Sequence, residues 1–194
     1  EANAHPHCVG KVTLVHNGII ENASELKEKL IAEDYLFNSE TDTEVAAALI
    51  NKYYDNDPIE AINKAIKELK GSYAFGILFE NSDKLYAVRK DSPLIIGYGE
   101  DETYIASDIA AIINYTNKYS LLEENEVVEI GDEVNVTKDG EKIEKEVLVA
   151  TISADAKDKC GFDHYMLKEI MEEPVVLEKT LKPYIEDLSK LPDL

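Results

Sequence analysis

The stretch Val15-His16-Asn17-Gly18-Ile19-Ile20-Glu21-Asn22 decides how the rest of the chain is interpreted. The residues that lead into it, Lys11–His16, are rich in β-branched side chains and predict a strand. The residues that follow predict a helix, with Asn22 as its N-cap and Glu25 as the second member of a capping box. Asn17-Gly18 is therefore predicted to be the turn at which the strand ends.

Two interpretations of this turn are open from the residues alone. In the first, the turn is only structural, because Asn-Gly is the strongest short turn signal in proteins. In the second, the turn leaves backbone N–H groups without partners, and these act beside the Asn17 amide to hold an oxyanion.

Composition restricts the class of protein and its partners. With 194 residues, 44% of them hydrophobic, the chain can build a core for one domain and a C-terminal extension. The formal net charge is −20 and Arg89 is the only arginine, which argues against nucleic acid and anionic lipids as partners. We expect no bound metal and no cofactor.

The chain shows no sign of export or membrane insertion. No apolar run approaches the ~20 residues that a membrane-spanning helix needs. The chain opens on polar residues rather than on a signal peptide. We therefore expect a cytoplasmic protein, in which Cys8 and Cys160 are reduced thiols.

Hydrophobic periodicity predicts an α+β fold, because helices come first and hairpins follow. The predicted helices cover residues 23–35, a segment capped by Thr41 and Glu44, and a segment opened by Pro58 and ended by Gly71. Strands are predicted in pairs at 73–80 with 84–90 and at 94–99 with 103–107, then as a meander over 126–151. A short helix is predicted at 108–113. These elements favour a two-sheet sandwich covered by helices.

The N-terminal segment His5-Pro6-His7-Cys8 carries potential metal ligands, but Pro6 interrupts the strand pattern and no acidic cluster lies nearby in sequence. We expect this segment to be structural. Cys8 is internal and lacks a free α-amino group, so we do not expect it to be a nucleophile. His16 is expected to orient the neighbouring loop rather than to transfer protons.

The segment His16–Asn22, taken together with Ser39-Glu40-Thr41-Asp42-Thr43-Glu44-Val45, resembles the glutaminase domain of class II glutamine amidotransferases. The resemblance implies the four-layer αββα fold of N-terminal nucleophile hydrolases. It also implies an N-terminal cysteine nucleophile and an Arg-Trp-Ala-Thr-His segment, both ahead of Glu1. We therefore expect an N-terminally truncated domain that lacks glutaminase activity by itself.

The resemblance also assigns roles to residues of this chain. Asn17, through its side-chain amide, and Gly18, through its backbone N–H, match the oxyanion hole. Asp42 matches the carboxylate that binds the α-ammonium group of glutamine. From the residues alone, Asp42 is better explained as an acid in the first turn of a helix, where the helix dipole favours negative charge. With the resemblance we prefer the binding role, and the two roles are compatible.

The resemblance extends into the C-terminal part of the chain. Residues 1–151 are expected to form the partial glutaminase domain and 152–194 a helical connector, with His164 near its start. Within the connector, 153–159 is predicted to be a polar linker, and Pro174 is predicted to separate two helical stretches, 162–173 and 175–188. The connector is similar to that of the branch of the family that aminates fructose 6-phosphate in a further domain. Another class II amidotransferase, or a non-catalytic module on the same scaffold, remains an alternative. An exposed sheet edge would allow a homodimer.

Overall fold

The computed structural model describes residues 2–151 and 161–186, which fall into two compact units, Glu1–Ile152 and Ser153–Leu194. The strands of the first unit are, in chain order, β1 His7–Val9, β2 Val12–Ile20, β3 Gly71–Phe79, β4 Leu85–Lys90, β5 Ile95–Tyr98, β6 Thr103–Ala106, β7 Lys118–Leu121, β8 Val127–Ile130, β9 Val134–Lys138, β10 Glu141–Ile143 and β11 Leu148–Val149. Its helices are α1 Ala23–Ala32, α2 Asp42–Tyr53 and α3 Pro58–Ile66, with a 3₁₀ turn at Ile109–Ala111.

The strands form two antiparallel sheets. The larger has the order β1-β2-β3-β4-β8-β9-β10 and the smaller the order β11-β7-β5-β6. Strand β2 pairs with β3 along its whole length, from Val12 opposite Phe79 to Ile20 opposite Gly71. The helices and the candidate site are arranged around this long antiparallel pair.

Apolar side chains are buried on both faces of the larger sheet. On one face, alternate residues of β2, among them Val12, Leu14 and Ile20, pack into a core with α1, α2 and α3. On the other face, Ala87 and Val128 pack with Ile96 of the smaller sheet. Burying both faces of a sheet in this way gives a layered α+β sandwich, as the sequence predicts.

Helix α2 lies deepest in the structure. All of its residues from Thr43 to Ile50 are buried, because three consecutive alanines allow close approach to β2. The helix begins as predicted, with the Thr41 side chain accepting a hydrogen bond from the backbone N–H of Glu44. This start fixes Asp42 and Thr43 in the first turn.

The predicted turn at Asn17-Gly18 is wrong. Strand β2 runs through both residues and ends at Ile20, with Asn17 opposite Ala74 and Gly18 opposite Tyr73. Gly18 adopts a φ of 144°, so a local irregularity of the strand, rather than a reversal of the chain, explains the glycine. The chain turns at Glu21 and Asn22 instead.

Two predicted helix ends also differ. Asn22 is the N-cap of α1 but makes no capping hydrogen bond; its side chain binds the Glu68 carbonyl and the Lys70 N–H instead. Gly71 does not end α3, which stops at Ile66; it opens β3 with a φ of 111°. Tertiary hydrogen bonding has overridden the local signal in both places.

The predicted start of α3 at Pro58 and the strand pairs β3–β4 and β5–β6 are confirmed. The last strand of the predicted meander is instead divided between the two sheets, since β10 pairs with β9 and β11 pairs with β7, and the helix predicted at 108–113 is the short 3₁₀ turn. The sequence missed β1 in the histidine-rich segment and β7 at Lys118–Leu121.

In the second unit, one helix, α4, runs from Tyr165 to Glu186 and includes Pro174, where the sequence predicts a break. The predicted linker 153–159 lies outside the described residues. In the part of the chain that the structure describes, no helix has the length and apolarity to cross a bilayer.

Candidate active site

The open edge of β2 positions the candidate site. Strand β1 pairs only with Val12–Leu14, so from Val15 to Ile20 the described residues provide no strand on that side. At the end of this edge, the Ile20 N–H donates to Asp42 Oδ2 over 2.7 Å. Because the N–H groups of alternate strand residues point to the same edge, the Gly18 N–H points to this open edge as well.

Glycine is the one residue type that fits at position 18. A Cβ built there would lie 2.2 Å from the carbonyl oxygen of Ser72 and 2.9 Å from His16 Nε2. The φ of 144° is also one that L-residues rarely adopt. Backbone is therefore the only chemistry that this position can offer to a ligand.

Asp42 is placed by the first turn of α2. Its side chain is 28% exposed, so the carboxylate can be reached from solvent even though one of its oxygens holds the Ile20 N–H. A carboxylate at this position also benefits from the positive end of the helix dipole. The structural and the ligand-binding interpretations of Asp42 are thus compatible.

The loop before α2 is held by a buried carboxylate. Glu44 Oε2 accepts from the Ser39 N–H at 2.7 Å and from Ser39 Oγ at 2.6 Å, and Glu44 Oε1 accepts from the Asn38 N–H at 2.8 Å. Burial by itself would raise the pKa of Glu44, but these hydrogen bonds outweigh it and lower the pKa. An ionised Glu44 therefore fixes the loop that carries Thr41 and Asp42.

Gly18 and Asp42 line one pocket of about 460 Å³, to which His5, His16 and Thr43 also contribute. A small polar molecule would fit a cavity of this size. The structure thus brings together two of the three site residues that the sequence predicts.

The third residue, Asn17, faces the other side of the sheet. Its Nδ2 donates to Ser107 Oγ, just beyond β6, over 3.1 Å. A side-chain amide nitrogen carries two N–H donors, so this bond leaves one for a ligand. Asn17 can meet a ligand held at Gly18 only by reaching over the open edge of β2.

Sequence reasoning understated the histidines of this site. His16 Nδ1 lies 3.2 Å from Thr43 Oγ1 and 3.8 Å from Asp42 Oδ1, and its side chain is 2% exposed. His5 Nε2 lies 3.1 Å from the same Thr43 oxygen. Burial lowers the pKa of His16, against the opposing effects of the Asp42 charge and the Ser72 carbonyl. The only pattern in the sequence that points to these contacts is a shared spacing: His5 and His7 are two residues apart, as are Thr41 and Thr43.

No group of histidine, cysteine and acidic residues among the described residues is arranged to hold a metal ion. Cys8 Sγ lies 3.2 Å from Thr13 Oγ1. Thr13 and Asn17 are four residues apart on one strand, about 13 Å along it, so Cys8 is too distant to act with Asn17. Cys160 lies outside the described residues.

A larger cavity, about 660 Å³, lies away from β2 between α3 and the turn at Asp139-Gly140. One of its two lysines, Lys64, is paired with Glu60 at 2.7 Å on the helix surface. None of the site residues that the sequence predicts lines this cavity, and we give it no role.

Comparison with known proteins gives the geometry its context. Residues 1–114, more than half of the chain, match the family model for the glutamine amidotransferase domain. The chain belongs to the glutamine amidotransferase family. The fold agrees with this membership: phosphoribosylpyrophosphate amidotransferase from B. subtilis superimposes with a TM-score of 0.59 and 28% identity, over 69% of this chain and 30% of that one. A class II glutamine aminotransferase domain from Silicibacter pomeroyi, 18% identical with a TM-score of 0.56, shares the fold.

Among glutamine amidotransferases of known sequence, the chain is similar to enzymes named glutamine–fructose-6-phosphate aminotransferase (isomerizing). It is 50% identical to that of Clostridium tetani over 93% of this chain and 31% of the relative. It is 44% identical to that of Aquifex aeolicus over 99% of this chain and 33% of the relative. The chain thus spans about a third of the length of these curated relatives.

Proposed function

We propose that residues 1–151 are the glutaminase domain of a glucosamine-6-phosphate synthase, in which ammonia released from glutamine aminates fructose 6-phosphate. Family membership and the names of the similar proteins from Clostridium tetani and Aquifex aeolicus support this assignment. The structural observation that carries it is the shared pocket of Gly18 and Asp42 on the open edge of β2.

Asp42 is the proposed site for the α-ammonium group of glutamine. Its Oδ2 accepts the Ile20 N–H, which fixes the carboxylate, and the residue lines the pocket. Its other oxygen, Oδ1, lies 3.8 Å from His16 Nδ1. A hydrogen bond between an ammonium group and a carboxylate is charge-assisted, and such bonds contribute about 1.5–3 kcal/mol.

Gly18 and Asn17 are the proposed oxyanion hole. The Gly18 N–H points out of the open edge of β2, and the second donor of the Asn17 amide would reach the same ligand over that edge from the other face of the sheet. Charge develops on the oxygen of the glutamine side-chain amide during attack, and two fixed donors would stabilise it there.

The spacing along β2 suits one ligand that uses both ends of the site. Gly18 and Ile20, whose N–H is bound by Asp42, are two residues apart, or about 7 Å along the strand. The ammonium group and the side-chain amide of glutamine lie at opposite ends of its extended side chain. Glutamine lying along the edge would therefore present one end to Asp42 and the other to Gly18.

The nucleophile is not assigned to a residue of this chain. The N-terminal cysteine implied by the family resemblance has no counterpart in residues 1–194, where Cys8 and Cys160 are both internal. That the isolated chain lacks activity stays a prediction. Residues 152–194, which include α4, are the proposed connector toward a sugar-phosphate domain.

The test is the variant Asp42→Asn in the product of the complete reading frame. Asn keeps an oxygen for the Ile20 N–H but removes the charge. We expect the KM for glutamine to rise about 10- to 100-fold, since a charge-assisted bond is lost, with little change in thermal stability.

The matched control is Asp57→Asn. Asp57 is also an acid at a helix start, where it accepts the Glu60 N–H at 3.0 Å, but it lines the other cavity. Its variant should leave the KM unchanged. If Asp42→Asn leaves the KM for glutamine at the wild-type value, the proposed substrate site is wrong.

A further inference from the structure

One hydroxyl group joins two histidines beside Asp42. Thr43 Oγ1 lies 3.1 Å from His5 Nε2 and 3.2 Å from His16 Nδ1. A threonine hydroxyl has one proton to donate, so it cannot donate to both rings. At least one of the two ring nitrogens must carry a proton and donate to Thr43.

The surroundings of His16 decide the direction of this chain of hydrogen bonds. Its Nε2 is buried without a hydrogen-bond partner among the described residues, and it lies on the same side as the Ser72 carbonyl oxygen, since a Cβ built on Gly18 would meet both atoms. A carbonyl can only accept, so it favours a proton on Nε2. The neutral ring then accepts the Thr43 proton at Nδ1, and Thr43 accepts from His5 Nε2.

Protonation of both His16 nitrogens would change the charge of the pocket. Nδ1 lies 3.8 Å from Asp42 Oδ1, so an imidazolium would pair with the carboxylate that the ligand needs. The groups around His16 are Asp42 and Thr43 on α2, His5 in the N-terminal segment, and the stacked rings of Phe75 and Tyr73 on β3.

The other polar groups near His16 are hydrogen-bonded, exposed or neutral. His7 Nε2 lies 3.1 Å from Thr41 Oγ1, and Glu44 is satisfied by the loop that precedes α2. Glu40 is exposed at the pocket rim. Burial raises the pKa of Tyr73 to about 12, which keeps its hydroxyl neutral. His16 is therefore the titrating group that acts on Asp42 most directly.

We propose that His5, Thr43 and His16 form a relay that keeps His16 neutral with its proton on Nε2, so that a ligand's ammonium group and an imidazolium at His16 compete for Asp42. The proposal rests on the proposed role of Asp42 and adds a regulation of that site by protons. His16 acts through Asp42 and is a positioning residue. Because the two cations exclude each other, ligand binding releases a proton wherever His16 is partly protonated.

The experiment measures the binding of L-glutamate, which carries the same α-ammonium group and is not hydrolysed. Calorimetric titrations of the complete gene product are made between about pH 5 and pH 8, the range in which a histidine titrates, in buffers of different ionisation enthalpy. In the wild type, affinity should fall by up to tenfold per pH unit below the pKa of His16, with release of up to about one proton.

The variant His16→Gln keeps a polar side chain but does not titrate, and it should remove most of this pH dependence. Thr43→Val keeps the shape of the threonine and breaks the relay. It should weaken L-glutamate binding several-fold at the upper end of the pH range, because Nδ1 is then free to carry a proton toward Asp42. His164→Gln, in the second unit, is the matched control and should behave as the wild type.

A direct readout is the ¹⁵N spectrum of labelled histidine, which distinguishes Nδ1–H from Nε2–H. We expect the Nε2–H tautomer for His16 in the wild type and a mixture in Thr43→Val. Failure of L-glutamate to bind at all would overturn the proposed function. Binding that depends on Asp42, but whose pH dependence is the same in His16→Gln, would overturn the relay alone.

Discussion

Asn17 and Ser107, 90 residues apart, connect the two sheets through a hydrogen bond of 3.1 Å from Nδ2 to Oγ. Asn17 lies on the open edge of β2, and Ser107 follows the edge strand β6. The bond fixes one N–H of the Asn17 amide and so sets the direction of the other. Ser107 is thereby a positioning residue for the proposed oxyanion hole.

Replacement of Asn17 by alanine should lower kcat for glutamine hydrolysis by the complete gene product about 100-fold, with little change in KM. The reason is that an oxyanion-hole donor acts mainly in the transition state. Ser107→Ala should give a smaller loss in kcat, because the amide is still present but is less well oriented. Steady-state kinetics of glutamate release measures both effects.

The control for this pair is Asn63→Ala, which removes an amide from α3 at the other cavity and should leave kcat unchanged. A rise in KM for Asn17→Ala without a fall in kcat would show that Asn17 binds the ground state, and would contradict its assignment to the oxyanion hole.

Structural elements that depend on hydrogen bonds between nearby residues could be predicted from the sequence, whereas those that depend on distant residues could not. The starts of α2 and α3 were predictable, because Thr41 and Asp57 bond to N–H groups three residues away. Asn22 carries the same type of signal, but its amide binds Glu68 and Lys70, more than 40 residues further along the chain. No local pattern contains that information.

The candidate site shows the same limit. Asn17-Gly18 was identified as the important pair, but as a turn, since the irregular φ of Gly18 becomes understandable only with β3 beside it. The close approach of His5 and His16 to Thr43 depends on α2 being buried against β2. The proposed role of Asp42 came from the family resemblance, whereas its contact with the Ile20 N–H is visible only in the fold.

Gly18 should be, with Gly71, among the least replaceable glycines of the first unit, because a Cβ at either position would lie 2.2 Å from a backbone oxygen. Gly18→Ala combines an unfavourable φ with a Cβ 2.2 Å from the Ser72 carbonyl oxygen, and it should lower the free energy of unfolding by about 3 kcal/mol or more. Gly140→Ala has a φ of 86° but meets no atom within 4 Å, so it should cost only about 1 kcal/mol. Urea denaturation of the two variants measures the difference, and equal losses would show that the clash at Gly18 relaxes.

Glu44 should make the stability of the chain depend on pH in the acid range. In the unfolded chain the carboxyl has the ordinary glutamate pKa of 4.5, and folding lowers this pKa because the N–H groups of Asn38 and Ser39 favour the ionised form. Its contribution is therefore complete above about pH 4.5 and is lost as the pH falls through the folded pKa. Glu44→Gln should lower the free energy of unfolding by about 1–3 kcal/mol at neutral pH, and by progressively less in acid.

Urea denaturation of the wild type and of Glu44→Gln, each at about pH 7 and about pH 3.5, tests this prediction. The control is Glu25→Gln, which removes an exposed carboxylate paired with Lys29 on α1 and should change stability little at either pH. A difference between Glu44→Gln and the wild type that is the same size at both pH values would contradict the prediction. The loss would then come from packing or hydrogen-bond geometry, and the charge on Glu44 would not be what holds the loop before Asp42 in place.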